Sequence, residues 1–174
     1  IGNKVLEEVM QIEFEKLGPV IFDKNDYKFA KKIRKTFTKE EMKSSFKRIG
    51  LEAPNDMVLC NFIAPLDYKS NGGIGSTDVG DVSWLVPTAG ARIATWVPGT
   101  SAHSWQAVAS GGMSIGLKGT KLAVGVLADT AKHIYLNPSV VETSKKELSE
   151  RIGDDFNYVP LLGDREPPLD YREN

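Results

Sequence analysis

An α/β fold, with several helices packed on a small and incomplete sheet, is what this sequence predicts, and three observations predict it. Apolar residues recur at helical spacing through much of the chain. Val58 to Ala64 and Ala91 to Val97 are short apolar runs of strand length, set between turn residues. Helices outnumber strands, and two or three strands cannot cover that many apolar helix faces, which is the appearance of an α/β layer missing part of its sheet.

The first helix is expected over residues 3–17, where Leu6, Met10, Phe14 and Leu17 recur with Val5 and Val9 beside them and Gly18-Pro19 gives the stop signal. Asp23 can cap a second helix that places Tyr27, Ala30, Ile33 and Phe37 on one face. Thr38-Lys39-Glu40-Glu41 has the spacing of a capping box, in which a hydroxyl and a carboxylate three residues apart satisfy each other's backbone amides. The third helix that follows presents Met42, Phe46 and Ile49 and ends at Gly50. Val58 to Ala64, bounded by Pro54-Asn55-Asp56 and Pro65, suits a strand by its length. Ser70 to Ser76 has the glycine content of a loop that bends sharply or approaches a ligand. A second strand is expected at Ala91 to Val97, with Ile93, Thr95 and Val97 on one face and Arg92, Ala94 and Trp96 on the other, broken by Pro98-Gly99. A glycine-rich helix follows over residues 104–116, and a stronger one over 119–136 carries Leu122, Val124, Leu127, Ala131 and Ile134. Asn137 then caps a last helix with Pro138 at its first position, running through Val141 and Leu148 to Ile152 before Gly153. Residues 1–153 read as one structured unit and 154–174 as an irregular tail.

The chain has 174 residues, 41% of them hydrophobic, and a formal net charge of -1, enough for one domain with a real core. Its charges nearly cancel and no basic cluster is interleaved with aromatics, so a nucleic-acid groove and an anionic membrane surface are both disfavoured and a small molecule is the expected ligand. The basic run Lys28 to Lys35 is balanced by Glu40 and Glu41 and reads as a solvated helix face. Cys60, the single cysteine, excludes an internal disulfide and fits a reducing cytoplasm; inside an apolar run and without a histidine pattern near it, it reads as a buried thiol. No apolar stretch reaches the roughly 20 residues of a membrane span. Ile1 stands where an initiator methionine would, with the amphipathic pattern running by Val5, and this suggests excision from a longer polypeptide.

The chemistry gathers in Gly75-Ser76-Thr77-Asp78-Val79-Gly80-Asp81-Val82-Ser83-Trp84 and in Trp96 to Gln106. Asp78 and Asp81 read either as helix-capping residues or as acid, base or metal-ligating groups. The backbone amides of Gly72 to Thr77 offer a cradle for a carboxylate or oxyanion, although no Gly-Lys-Ser/Thr follows as in a P-loop. His103 lies in a turn at an expected helix start, flanked by Thr100, Ser101 and Ser104, where the positive helix end favours the neutral imidazole that metals require. A single imidazole does not hold a catalytic metal, and no His-x-Asp, His-Glu-x-x-His or Cys-x-x-Cys spacing supplies its partners. His133 falls inside the 119–136 helix and reads as a surface or interface residue. Trp84, Trp96 and Trp105 suit either core packing or an aromatic substrate pocket.

At Gly75-Ser76-Thr77-Asp78, extended by Asp81-Val82-Ser83-Trp84, and at Ala102-His103-Ser104-Trp105-Gln106, the chain resembles the metallopeptidase family that includes aminoacylases, glutamate carboxypeptidases and indole-acetyl-amino-acid hydrolases. The resemblance implies the C-terminal portion of a split catalytic domain, an incomplete three-layer α/β with a small mixed sheet. An inserted lid or dimerisation domain and the N-terminal catalytic half lie outside this chain. It implies hydrolysis of the amide bond of an N-acyl amino acid, such as p-aminobenzoyl-glutamate to p-aminobenzoate and glutamate, by two divalent metal ions: zinc, manganese or cobalt. By the same resemblance His103 is a metal ligand, and Gly75, Ser76, Thr77, Asp78 and Asp81 shape the substrate pocket. The general base lies in the absent half, and the full-length protein is expected to form a homodimer or hetero-oligomer. Gln106 departs from the acidic residue that many relatives carry after the histidine. A different class of function stays open beside this one: a small-carboxylate binding or assembly module without catalysis.

Overall fold

The computed structural model describes residues 1–48, 57–66, 77–169 and 172. In order along the chain the helices are α1 (Lys4–Leu17), α2 (Lys24–Arg34), α3 (Lys39–Arg48), α4 (Val79–Leu85), α5 (Trp105–Gly111), α6 (Ser114–Leu136) and α7 (Pro138–Ile152). Their ends are set by the local chemistry the sequence suggests. Asn3 caps α1 by accepting the Leu6 amide, and Gly18 closes it at a φ of 76°, the left-handed region that glycine enters without steric cost. Asp23 and Asp26 form a reciprocal capping box on α2. Thr38 and Glu41 exchange the corresponding bonds before α3, at 2.7 Å and 3.2 Å. Pro138 opens α7 and Gly153 ends it. The expected end of α3 at Ile49-Gly50 lies outside the described residues.

The α/β expectation is overturned: the regular structure among the described residues is helical, with no strand. Neither Val58 to Ala64 nor Ala91 to Val97 forms one. A strand needs a hydrogen-bonded neighbour, and neither run has a backbone ladder to the other. These runs are apolar for a different reason. Leu59 and Val97 are almost wholly buried among Ala30, Ile33 and Ile115, with Phe22, Tyr27, Phe29 and Phe37 packed around them. The segments are irregular chain pressed under helices, and burial demands the same residue types as a strand interior would.

Helix α6 is the axis on which α1, α5 and α7 pack. The glycine-rich stretch expected as one helix over 104–116 divides into α5 and the start of α6, with the break at Gly112-Met113. Close approach explains the glycines there. A Cβ on Gly116 would collide with the Gly111 backbone, and one on Gly119 would lie 2.5 Å from the Ala94 carbonyl oxygen. Polar ties fix the register of the helices. Glu147 of α7 accepts the Lys4 and Val5 amides at 2.9 Å and 3.0 Å, and Asn3 Nδ2 donates to the Ser144 carbonyl at 2.9 Å. Lys118 of α6 reaches the α2 capping box, 2.7 Å from Asp23 Oδ2 and 2.5 Å from Asp26 Oδ2. Burial pushes the Asp26 carboxyl up, but the Lys118 ammonium, the Asp23 amide and the Ser114 hydroxyl outweigh it and hold the group below its ordinary value. No helix among the described residues is long and apolar enough to cross a membrane.

Candidate functional site

The first motif is the entrance to α4, a helix that periodicity did not reveal. Gly75 and Ser76 lie outside the described residues, whereas Thr77, Asp78 and Asp81 are described and exposed. Thr77 Oγ1 accepts the Val79 amide at 2.9 Å. Asp78 occupies the cap position with no side-chain cap bond, while its carbonyl accepts the Val82 amide at 3.2 Å. The threonine therefore does the capping that the sequence allowed for the aspartate, and the Asp78 carboxylate projects without that duty. Asp81 is engaged: its Oδ1 accepts the phenolic O–H of Tyr158 at 2.7 Å. One turn on, Trp84 stacks on Phe156, with ring centroids 5.0 Å apart and planes 20° apart. The hydrogen bond that the phenol donates to the Asp81 carboxylate raises the Tyr158 pKa above its ordinary value of 10.0, because ionisation would forfeit that bond; partial desolvation and the neighbouring negative charge act in the same direction.

His103 sits in the turn before α5 with a φ of 59°, a left-handed conformation. Histidine enters that region more readily than most side chains, and the turn is braced on both sides. Thr100 donates amide and hydroxyl to the Val97 carbonyl, and Ser104 Oγ accepts the Ala107 amide at 3.2 Å while donating to the Ser101 carbonyl. The imidazole is exposed. Gln106 donates from Nε2 to Thr36 Oγ1 at 3.3 Å and ties α5 to the turn that follows α2.

Among the described residues no three His, Cys, Asp or Glu side chains gather so as to hold a metal ion. Asp78, Asp81 and His103 are thus not assembled into one cluster, and the donor set here does not fit a complete catalytic metal site; His103 can offer one ligand. His133 is a structural interface residue: its Nδ1 lies 2.7 Å from Glu13 Oε1 between α6 and α1. Glu13, nearly buried, also accepts the Lys16 ammonium at 2.8 Å, and these two partners hold its carboxyl below the ordinary value. Cys60 is half-buried, and burial pushes its thiol up to about 11, which suits packing and disfavours nucleophilic chemistry. Lys28, Lys31, Lys32 and Lys35 are exposed, as a solvated face requires. Of the tryptophans, Trp84 is stacked on the tail, and Trp105 is more than half exposed.

A cleft of about 150 Å³ lies elsewhere, between Met10 and Phe14 of α1, Cys60 and Phe62, Arg92, and Leu122 of α6. Among the described residues, none of those singled out as ligand or substrate contacts lines it. Reading the sequence missed this cleft because its walls are the two runs taken for strands. It also missed Phe156 and Tyr158, which stand in a tail that carries no helical or strand periodicity to single them out.

With this geometry in place, comparison with known proteins shows the chain to be similar to part of a hydrolase. That relative is a p-aminobenzoyl-glutamate hydrolase subunit from Escherichia coli (strain K12), 30% identical over 157 residues. The match covers 84% of this chain but 33% of the relative, so the chain spans about a third of the length of the protein it resembles. No protein-family model matches the chain. No solved structure matches it either.

Proposed function

We propose that this chain is the C-terminal segment of a metal-dependent amidohydrolase or carboxypeptidase that cleaves an N-acyl amino acid, p-aminobenzoyl-glutamate, to p-aminobenzoate and glutamate. The observation that carries the reading is the 30% identity over 84% of the chain, a stretch extensive enough to take in both motifs. On this reading residues 1–153 are part of the catalytic domain and 154–174 its tail, and polypeptide outside this sequence brings the lid, the N-terminal catalytic half and the general base. His103, exposed in its braced turn, gives one donor to a divalent metal site of zinc, manganese or cobalt that other donors complete. Such a cation supplies Lewis-acid polarisation of the scissile carbonyl. The chain's own contribution is to orient substrate with Gly75, Ser76, Thr77 and Asp78, while Asp81, taken by Tyr158, supports that segment from behind. The relative's name describes one part of an assembly, which favours association with a further chain.

The test is p-aminobenzoate release from p-aminobenzoyl-glutamate by the parent polypeptide and by this chain alone. Metal-dependent turnover by the parent and none by the isolated chain is expected; full turnover by the isolated chain would overturn the proposal. The absence of a cluster of three metal donors among the described residues motivates a second reading, a small-carboxylate binding module. Calorimetry decides between them, since the module predicts metal-independent affinity of the chain for p-aminobenzoyl-glutamate.

A further inference from the structure

Helix α4 has seven residues, two turns, and a helix that short is not stable by itself. It is also absent from the extensive helix pairs, which join α1, α5, α6 and α7. Val79, Val82 and Leu85 stay exposed on it, so little burial holds it down. What does hold it is polar and aromatic. Ser83 is buried, donating to the Gly80 carbonyl at 2.6 Å and accepting from the Ile1 nitrogen at 2.5 Å. The remaining anchors both come from the segment after α7: Phe156 stacked on Trp84 and Tyr158 bonded to Asp81. Asp81 and Trp84 are three residues apart, so they share one face of α4, and Phe156 and Tyr158 are spaced by two, which in extended chain points both rings to one side. The pairing is a two-point contact between a helix face and the irregular chain that follows α7.

We infer that Phe156 and Tyr158 are positioning residues that clamp α4 and thereby fix Thr77 and Asp78, the substrate-facing pair at its entrance. This rests on the hydrolase reading for its functional half, whereas the clamp itself is a property of the described chain. The tail is then a working part of the site. Tyr158 touches no substrate on this view; it acts through Asp81, and Phe156 acts through Trp84. Both tail side chains are partly exposed, so conservative replacement leaves the core unchanged.

Two measurements test it. In the 174-residue chain, hydrogen exchange of the amides of residues 79–85 is followed in wild type, Tyr158→Phe and Phe156→Ala. Loss of a hydrogen bond to a charged carboxylate is expected to speed that exchange about tenfold while α1 and α6 keep their protection. In the parent polypeptide the same variants are expected to raise KM for p-aminobenzoyl-glutamate about tenfold with kcat changed less than about twofold, and Phe156→Tyr, which keeps the stack, to restore it. Exchange that speeds only in residues 154–159, or KM unchanged while α4 loosens, would overturn the inference. A wild-type parent with no hydrolysis would overturn the hydrolase reading alone, and the exchange experiment would still decide the clamp.

Discussion

At the scale of single residues, the space denied to a side chain is as informative as the contacts made. Gly119 costs α6 roughly 1 kcal/mol of helix propensity relative to alanine, yet its missing Cβ lets the helix sit against the Ala94 carbonyl. The clash outweighs the propensity because the obstructing atom is backbone. Gly119→Ala is therefore expected to destabilise the chain by about 1–3 kcal/mol in urea denaturation, and a variant of equal or greater stability would show that the approach is not tight. His103 poses the opposite case. Its left-handed φ of 59° costs about 1–2 kcal/mol, and glycine would relieve that while adding a comparable entropy loss. His103→Gly should leave stability within about 0.5 kcal/mol. If His103 is the metal ligand proposed above, the same change in the parent should lower kcat/KM by more than about a hundredfold, since removing a ligand exceeds the effect of removing its support. Retained activity in that variant would remove His103 from the metal site.

At the scale of elements, helix ends carry most of the specification. The caps at Asp23 and Thr38 were legible because their chemistry is local, a side-chain oxygen two or three residues from the amide it accepts, and Asn3, counted within the first helix, proves to be its cap. The second cap on α1 was not legible, because Glu147 arrives from the other end of the chain. Burial pushes the Glu147 carboxyl up, but the Val5 and Lys4 amides and the Arg151 guanidinium outweigh it and hold it below its ordinary value of 4.5. A depressed carboxylate stabilises the fold above its unfolded pKa and loses that contribution as pH falls through the lowered value. Glu147→Ala is expected to cost about 0.5–2 kcal/mol at pH 7 by leaving helix amides unpaired, and thermal melts should show the difference from wild type shrinking as pH falls below 4.5 and vanishing only beneath the lowered value. The tail contact has the reverse dependence. The Tyr158 pKa is raised, so its bond to Asp81 persists below pH 10.0 and is lost as pH climbs through the raised value. Tyrosine absorbance titration should place that ionisation above the free phenol and return it toward 10.0 in Asp81→Asn.

At the scale of the whole molecule, the described fold rests on apolar packing around α6 and on ion pairs such as Lys118 with Asp26, with no cluster of metal donors among the described residues. Adding EDTA is accordingly expected to leave the melting temperature of the chain unchanged, and a fall of several degrees would reveal a metal that the fold depends on. The helices other than α4 were readable in advance except for the division of the expected 104–116 helix into α5 and the start of α6, since periodicity, caps and terminal glycines lie within a few residues of one another along the chain. So was the pair of motifs, and the likeness to a hydrolase subunit extends well beyond them, over 157 residues. The state of Leu59 and Val97 was decided only in three dimensions: strand interiors and chain buried beneath helices select the same apolar residues, and the hydrogen-bonded neighbour that separates them is not written in the run itself. The same holds for Asp81, whose partner Tyr158 stands 77 positions away. Local order sufficed for whatever is satisfied within a turn of backbone; every contact that joins distant segments waited on the folded chain, because sequence spacing carries no record of which surfaces meet.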